Sequence, residues 1–313
     1  MSKKNNKVKI VEVGLRDGLQ NEKTELSADD RFDLYEMLVA SGIQNIEVGA
    51  FVSPKWVPQM AVTAQLASMI YSAKEKLKKS KTQEAILVPN ELGMLRAIEA
   101  GAQEVAIFAA CSENFSLKNI NCSIAESFER FGPVMKLARE HKIKVRGYLS
   151  TCFGCPFEGP VPEARVVQLA KRMRQIGVYE VSIGDTIGIA NPRQVTSLFK
   201  KLKTVVPASQ LAGHFHDTRG TALANILAAF ECGIRIFDTS IGGLGGCPYA
   251  PGATGNVATE DVVYMFEGMK VRTGVNFEGL VQINKWLQPK MNHPLSSKAG
   301  QAGRLKPLGK VKK

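Results

Sequence analysis

Two histidines separated by a single residue, His214 and His216, are well placed to hold a metal ion. They end an apolar run near 210–215 (QLAGHF) that is typical of a β-strand. Side chains two apart on a strand point to the same face, so both imidazoles can approach one ion. The chain has only four histidines, and a pair of satisfied core histidines is the alternative. We favour metal ligation.

Polar side chains at the ends of other apolar runs can complete such a site. Arg16 and Asp17 follow the first run, Glu47 ends the second, and Asp185 ends the sixth. Asp17 offers a carboxylate, and Asn256 offers an amide oxygen. A mixed set of nitrogen and oxygen ligands without thiolate suits Mg²⁺, Mn²⁺, Co²⁺ or Zn²⁺, and the sequence does not choose among these ions.

Three of these charged side chains also have a purely structural interpretation. Arg16 is either a local salt-bridge partner of its neighbour or a fixed cation near developing oxyanion charge. Glu47 and Asp185 each end an apolar strand, where a buried carboxylate must be paired or neutralised. They form structural ion pairs, or they orient the metal ligands or Arg16. The residues alone leave both interpretations open.

A glycine-rich loop, GGLGG over 242–246, follows the eighth apolar run and leads into Cys247. So many glycines allow loop movement or close approach of the backbone to a ligand, although a bare turn also fits. A thiol on such a loop either transfers protons or is inert. We interpret the Cys152-x-x-Cys155 pair as packing residues, because no second pair follows at zinc-site spacing.

The elements that would position these side chains are eight short β-rich runs that alternate with amphipathic, helix-length stretches. The runs lie near 8–14, 45–49, 84–89, 103–108, 143–149, 178–184, 210–215 and 235–241. Such alternation is typical of repeated βα units around a parallel sheet. We therefore predict an α/β fold, a TIM (β/α)₈ barrel with extra C-terminal helices. Its catalytic groups would come from the carboxyl ends of the strands.

Helix boundaries have their own signals. Ser27, ahead of an acidic first turn, predicts a helix over 28–40 that ends before Gly42. Asn191-Pro192 predicts the start of another helix. After a helical stretch at 259–269, the pattern over 274–295 predicts further helix beyond the barrel.

The net charge of +12 is concentrated at the two ends of the chain. Residues 1–11 carry four Lys and no acid, residues 279–313 carry eight Lys or Arg and no acid, and the body is neutral. Solvated tails explain this better than a nucleic-acid surface. We predict a basic tail over 1–7, the barrel and its helical extension over 8–295, and a basic, disordered tail over 296–313.

Membrane and export signals are missing from the sequence. No apolar run reaches the roughly 18 residues that a membrane span needs. The opening Met-Ser-Lys-Lys-Asn-Asn lacks the apolar stretch of a secretory signal. We expect a cytoplasmic protein without membrane association, in which the six cysteines are reduced.

Several long motifs, in order, resemble the 3-hydroxy-3-methylglutaryl-CoA lyase family, which belongs to a wider group of metallolyases that also holds related synthases. The resemblance covers about 8–295. Its specific stretches are RDGLQNEK (16–23), IEVGAFVSPKWVPQM (46–60), KNINCSIAESFERF (118–131), GDTIG (184–188), HFHDTRG (214–220) and GGLGGCPYAPGATGNVATEDVVYM (242–265). Leu15 departs from the family pattern, in which a proline is expected.

The resemblance implies a function and a set of roles. The expected reaction is metal-dependent cleavage of 3-hydroxy-3-methylglutaryl-CoA to acetyl-CoA and acetoacetate, by a homodimer that uses Mg²⁺ or Mn²⁺. The implied metal ligands are Asp17, His214, His216 and Asn256. The implied catalytic residues are Arg16, which stabilises the enolate, Cys247 and His216, which transfer protons, and Glu47 and Asp185; the last two and Glu260 would support the site. Contacts to the acyl-CoA substrate are expected from Arg16, Gln20 and Lys118.

Three alternatives remain at this point. Another member of the same group, such as a lyase of the citramalyl-CoA type or an acyl-CoA synthase, would share most of these motifs. A metal-dependent barrel hydrolase would place its His-x-His at the first strand, whereas here the pair follows the seventh. A protein that binds nucleic acid or another anionic surface would use the basic tails.

Overall fold

Eight parallel strands close into a barrel in the computed structural model, which describes residues 6–77, 81–246 and 255–305. Each strand pairs with the next one in the chain, and the eighth pairs with the first. The strands are β1 (Lys9–Glu12), β2 (Asn45–Ala50), β3 (Gln83–Leu87), β4 (Glu104–Ala110), β5 (Lys144–Ser150), β6 (Glu180–Asp185), β7 (Leu211–Phe215) and β8 (Ile236–Thr239). The predicted TIM barrel is confirmed.

Helices follow every strand. In chain order they are α1 (Ala28–Ala40), α2 (Thr63–Leu77), α3 (Glu91–Glu99), α4 (Glu113–Ile120), α5 (Ile124–Glu140), α6 (Glu163–Ile176), α7 (Pro192–Leu202), α8 (Ala222–Glu231), α9 (Thr259–Gly268), α10 (Phe277–Leu287) and α11 (Lys298–Ala302). Two helices, α4 and α5, connect β4 to β5, and α9 to α11 follow the last strand. The extra C-terminal helices are therefore present.

Side-chain caps explain where two of the predicted helices begin. The hydroxyl of Ser27 accepts a hydrogen bond from Asp30 N at the start of α1. Asn191 and Gln194 form a capping box at the start of α7. Each cap satisfies backbone N–H groups that lack a partner within the helix, a contribution of about 1 kcal/mol. Both helices begin where the sequence predicts.

The apolar core lies between the barrel wall and the helices, and the inside of the barrel is largely polar. Val105, Val181 and Leu198 are fully buried in the layer between strands and helices. Inside the barrel, Arg146 and Asp238 are almost completely buried. A charge can be buried only when partners compensate it, so the barrel interior must contain an ion-pair network.

The C-terminal segment differs from the prediction. Residues 298–302 form α11, although a disordered tail was predicted from 296. The carboxylate of Asp261 on α9 accepts hydrogen bonds from Ser297 Oγ (2.9 Å) and Ala299 N (2.7 Å). These distant acceptors stabilise a helix too short to show apolar periodicity, which is why the sequence pattern missed it. Residues 306–313 and 1–5 of the predicted tails lie outside the described part of the chain.

Among the described residues, no helix has both the length and the apolar character that crossing a bilayer requires.

Candidate active site

A π-helical turn over Gly14–Gly18 carries Arg16 and Asp17 into the mouth of the barrel. The N–H of Gly18 donates to Val13 O at 3.0 Å, which is the spacing of a π-turn. Such turns are rare and often lie at functional sites. A Cβ atom on Gly18 would lie 2.6 Å from Ser240 Oγ, so a larger residue does not fit there without movement. The backbone of this turn is therefore held tightly against the end of β8.

Asp17, His214 and His216 bring one potential ligand atom each to within 4.8 Å of one another. The two imidazole Nε2 atoms lie 3.2 Å apart. Asp17 Oδ2 lies 3.9 Å from His214 Nε2 and 3.8 Å from His216 Nε2. Because the carboxyl ends of the barrel strands share one mouth, three side chains that are far apart in the sequence lie together there. They form a group that can hold a divalent metal ion.

Asn256 adjoins this group. Its backbone pairs with that of His216, and its Nδ2 donates to Asp17 Oδ2 at 2.7 Å. Asn256 Oδ1 is buried and has no hydrogen-bond partner in the described residues. The two ends of an amide are assigned from the hydrogen bonds they make, and rotation by half a turn would direct the oxygen at the cluster. The donor set of two imidazoles, a carboxylate and an amide therefore fits a divalent ion.

A second carboxylate approaches His214 from the other side of its ring. Asp238 Oδ2 lies 3.2 Å from His214 Nδ1. A carboxylate here favours a proton on Nδ1, which leaves the lone pair of Nε2 directed at the cluster. Asp238 itself is held by Arg146 and Ser182.

The guanidinium of Arg16 is fixed by two carboxylates. Glu47 Oε2 accepts a hydrogen bond from Arg16 Nε (2.8 Å) and forms an ion pair with Nη2 (2.7 Å), and Asp17 Oδ1 accepts a hydrogen bond from Nη1 at 2.5 Å. The ring of Tyr148 lies 5.4 Å from the guanidinium carbon. Of the two interpretations of Arg16, the salt bridge is present, and it holds a cation beside the metal-binding group. Glu47 is likewise an ion-pair partner and the residue that orients Arg16.

The pKa values of Asp17 and Glu47 shift in opposite directions in this environment. Burial raises the pKa of Asp17, but Arg16 and the two histidines outweigh burial and hold that pKa well below its ordinary value. Burial also raises the pKa of Glu47, and here it outweighs the lowering by Arg16. Of these two carboxylates, Asp17 is therefore the one that stays ionised to lower pH.

Asp185 and Glu260 support loops and do not contact the cluster with their carboxylates. Asp185 accepts hydrogen bonds from Ile189 N and Ala190 N, both at 3.0 Å. Glu260 accepts hydrogen bonds from Gly242 N at 2.9 Å and from Asn284 Nδ2 at 2.9 Å, and burial raises its pKa to about 8. Asp185 is joined to His216 through its backbone carbonyl, which accepts His216 N at 3.3 Å.

Three predicted residues are not joined to this cluster by the described contacts. Gln20 lies half-buried just beyond the π-turn, and Lys118 is exposed in the last turn of α4, with its ammonium 3.9 Å from the centre of the Phe157 ring. Within the described ranges, neither makes a hydrogen bond or ion pair with the metal-binding group. Cys247 lies outside the described residues.

Four buried polar residues near the site were missed by sequence reasoning. Arg146, Tyr148 and Asp238 lie inside the barrel, and Glu12 lies at the end of β1. Each interrupts an apolar run, as in IKVRGYL, RIFDTSI and VKIVEVG. A polar residue within an otherwise apolar strand was the available signal, because its burial demands a partner.

The fold and the site define the class of the protein: a TIM-barrel enzyme with a candidate divalent-metal site of nitrogen and oxygen donors at the carboxyl ends of its strands. A family model described as HMGL-like matches residues 7–287.

Relatives and solved structures agree with this class. The chain is 48% identical over 296 residues to the 3-hydroxy-3-isohexenylglutaryl-CoA/hydroxy-methylglutaryl-CoA lyase of Pseudomonas aeruginosa, covering 95% of this chain and 97% of that protein. It is 48% identical over 295 residues to the hydroxymethylglutaryl-CoA lyase of Pseudomonas mevalonii, covering 94% and 96%. The structure of an HMG-CoA lyase from Acinetobacter baumannii in complex with coenzyme A and 3-methylmalate matches with a TM-score of 0.92 and 36% identity, covering 98% of this chain and 99% of that one. This chain belongs to the HMGL-like family, and it is a carbon–carbon lyase.

Proposed function

We propose that the chain cleaves 3-hydroxy-3-methylglutaryl-CoA into acetyl-CoA and acetoacetate. The observation that carries this proposal is the adjacency of two groups: Asp17, which belongs to the metal-binding cluster, is also paired with the buried cation Arg16 at 2.5 Å. Cleavage next to a tertiary alcohol needs a group that acidifies the hydroxyl and a cation for the enolate that leaves. The cluster that can hold such an ion and the cation Arg16 lie at one end of the barrel, and the relatives named above are lyases named for this substrate.

The metal ion is proposed to be held by Asp17, His214, His216 and Asn256. Support comes from the convergence of the imidazole Nε2 atoms at 3.2 Å and from the unpartnered Oδ1 of Asn256. The nitrogen and oxygen donors do not choose among Mg²⁺, Mn²⁺, Co²⁺ and Zn²⁺, and Mg²⁺ or Mn²⁺ is what the resemblance to the lyase family implies. When bound, the ion supplies Lewis-acid chemistry that lowers the pKa of an alcohol.

Arg16 is proposed to stabilise the negative charge of the departing enolate. A guanidinium has more N–H donors than its contacts with Glu47 and Asp17 use, so donors remain for a substrate oxygen. Because both carboxylates already fix the side chain, no reorganisation is needed when charge develops. The stabilisation is on the order of 3 kcal/mol, the cost of losing one oxyanion-hole donor.

Proton transfer is assigned to His216 and Cys247. Because Nε2 of His216 faces the cluster as a metal donor, Nδ1 is the ring nitrogen left to accept the proton of the substrate hydroxyl, and the thiol of Cys247 can protonate the enolate carbon. Glu260 supports this role indirectly, because it holds Gly242 N at the start of the loop that carries Cys247. Asp185 accepts hydrogen bonds from the turn after β6, which lies at the same carboxyl end of the barrel as the loop that follows β8.

Gln20 and Lys118 remain proposed contacts of the acyl-CoA. A related lyase has been solved with coenzyme A bound, which supports a site for this cofactor-sized group on the present chain. Lys118 is exposed at the end of α4 and offers an ammonium to a phosphate. Weaker KM with unchanged kcat in Lys118→Ala would support this assignment.

A second candidate substrate has a longer branch at C3. The Pseudomonas aeruginosa relative is named for both 3-hydroxy-3-isohexenylglutaryl-CoA and the methyl compound. Incubation of purified, Mn²⁺-loaded protein with each thioester, followed by mass spectrometry of the products, separates the candidates. Release of acetoacetate and acetyl-CoA from the methyl substrate supports the proposal. Cleavage of only the isohexenyl or a citramalyl thioester would overturn it and leave the lyase class intact.

Oligomeric state, location and tail function stay predictions. Light scattering at micromolar concentration tests the homodimer. A chain that ends at residue 305 tests the alternative of an anionic-surface binder, because it keeps α11 and removes the eight residues beyond it, four of which are Lys. Loss of nucleic-acid binding with intact lyase activity would support that additional role.

A further inference from the structure

Three buried polar side chains stand behind the candidate metal site, on the far side of His214. They are Asp238 on β8, Arg146 on β5 and Ser182 on β6, and each is no more than 2% exposed. We propose that Asp238, held by Arg146 and Ser182, is the positioning residue that fixes the ring of His214 for metal binding. This inference rests on the metal site proposed above.

The geometry of Asp238 is over-determined. Arg146 donates to both carboxylate oxygens, from Nη2 to Oδ1 at 2.7 Å and from Nη1 to Oδ2 at 3.3 Å. Ser182 Oγ donates to Oδ2 at 2.6 Å. The same Oδ2 faces His214 Nδ1 at 3.2 Å. A carboxylate with this many fixed partners cannot swing away, so the imidazole in contact with it is held in one orientation.

The backbone enforces the same contact. His214 and Asp238 are register partners in the β7–β8 ladder. Their side chains therefore start from neighbouring positions on the inner face of the barrel, and no loop movement separates them. Such a pair on adjacent strands is more rigid than a pair carried by loops.

An ionised carboxylate only accepts hydrogen bonds, so it selects the tautomer of His214 with the proton on Nδ1. The Nε2 lone pair then faces Asp17 and His216. An asparagine at 238 would offer an N–H in place of one oxygen and would favour the other tautomer, in which Nε2 is protonated and cannot bind a metal. The expected effect of Asp238→Asn is thus on metal affinity before it is on any chemical step.

Arg146 extends this arrangement to the other half of the site. Its Nη1 donates to Tyr148 Oη at 2.6 Å, and Tyr148 Oη donates to Glu47 Oε2 at 3.1 Å. Glu47 Oε2 is the atom that holds Arg16. One buried guanidinium therefore connects the histidine of the cluster with the cation proposed to stabilise the enolate.

The test is a titration with Mn²⁺ alone, followed by the electron paramagnetic resonance signal of the free ion. The matched control is Glu180→Gln, because Glu180 also pairs with Arg146, at 2.7 Å from Nε, but has no described contact with His214. Asp238→Asn is expected to weaken Mn²⁺ binding roughly 10- to 100-fold, the usual effect of losing such an outer carboxylate, while Glu180→Gln leaves it unchanged. Equal affinity in Asp238→Asn and wild type, or equal weakening in both variants, would overturn the inference.

Two further measurements cover a poorly folded Asp238→Asn. Ser182→Ala removes one hydrogen bond to Asp238 and should weaken Mn²⁺ binding in the same direction by a smaller factor. Nitrogen-15 NMR of labelled histidines in the metal-free protein, which has four of them, should show His214 with its proton on Nδ1. Unchanged affinity in Ser182→Ala together with a proton on Nε2 would refute the role. If the wild-type protein binds no Mn²⁺, both the proposed metal site and this inference fail. If wild type binds Mn²⁺ and the Asp238→Asn and Ser182→Ala variants bind it equally well, this inference fails and the metal site stands.

Discussion

The buried carboxylate of Glu12 should make the stability of the fold depend on pH. Glu12 Oε1 accepts hydrogen bonds from Gly14 N (2.8 Å) and Ile241 N (2.9 Å), and its Oε2 accepts one from Thr259 Oγ1 (2.6 Å). It therefore ties together the π-turn, the end of β8 and the start of α9. Burial raises the pKa of Glu12 from 4.5 to about 7, although these three hydrogen bonds oppose the increase.

The raised pKa of Glu12 makes the folded state less stable as the pH rises. A carboxylate with a raised pKa binds its proton more tightly in the folded state. The contribution of Glu12 to the free energy of unfolding is therefore fully present below about pH 4.5 and is lost as the pH rises through about 7. A difference of that size is worth about 3 kcal/mol at 1.36 kcal/mol per pH unit. Glu12→Gln keeps an oxygen for the two backbone N–H groups and cannot ionise. It should gain about 3 kcal/mol relative to wild type between about pH 5 and about pH 8.

Urea unfolding followed by circular dichroism across that range measures the gap between Glu12→Gln and wild type. Glu91→Gln, which removes an exposed carboxylate at the start of α3, is the control for a changed net charge. A gap that stays constant with pH, or that shrinks as the pH rises, would refute the reasoning from burial. Glu12→Ala should be destabilising at every pH, because it leaves two buried N–H groups unpaired at about 1 to 3 kcal/mol each.

Two further changes test the π-turn and its arginine. Arg16→Met should lower kcat by roughly 100- to 1,000-fold with a smaller change in KM, and steady-state kinetics against the exposed control Arg193→Lys would contradict this if only KM moved. Gly18→Ala places a Cβ 2.6 Å from Ser240 Oγ and should cost about 1 to 3 kcal/mol in thermal or urea unfolding. Its control is Gly132→Ala inside α5, where a new Cβ meets nothing within 4 Å and helix propensity predicts a gain of about 1 kcal/mol. Equal effects of the two glycine substitutions would rule out the steric argument.

Hydrophobic periodicity and helix caps were sufficient to predict the barrel, because the sequence signals for each βα unit lie within that unit. Ser27 and Asn191 mark helix starts through contacts within the same turn, and the observed strands lie within a few residues of the predicted ones. Asp17, His214 and His216 come together in the structure for a simple reason: side chains at the carboxyl ends of barrel strands share one mouth.

The sequence could not predict which side chains pair with each other across the inside of the barrel. The pairing of Arg146 with Asp238 depends on which strands face each other through the interior, and nothing local to either residue specifies it. The carboxylate of Asp185 accepts hydrogen bonds from backbone N–H groups of the loop after β6, because that loop returns close to the end of the strand. Helix α11 depends on Asp261, which lies 36 residues from Ser297. Long-range contacts of this kind appear only when the chain is folded.

The proposed reaction is cleavage of 3-hydroxy-3-methylglutaryl-CoA at a metal site built on His214. The most direct measurement is the release of acetoacetate and acetyl-CoA from that thioester by chelated protein, before and after addition of Mn²⁺, for wild type, His214→Ala and His141→Ala. His141 is an exposed histidine at the end of α5 and serves as the matched control. We expect Mn²⁺-dependent release by wild type and His141→Ala, and none by His214→Ala. Release that persists in His214→Ala, or that is the same with and without the ion, would contradict it.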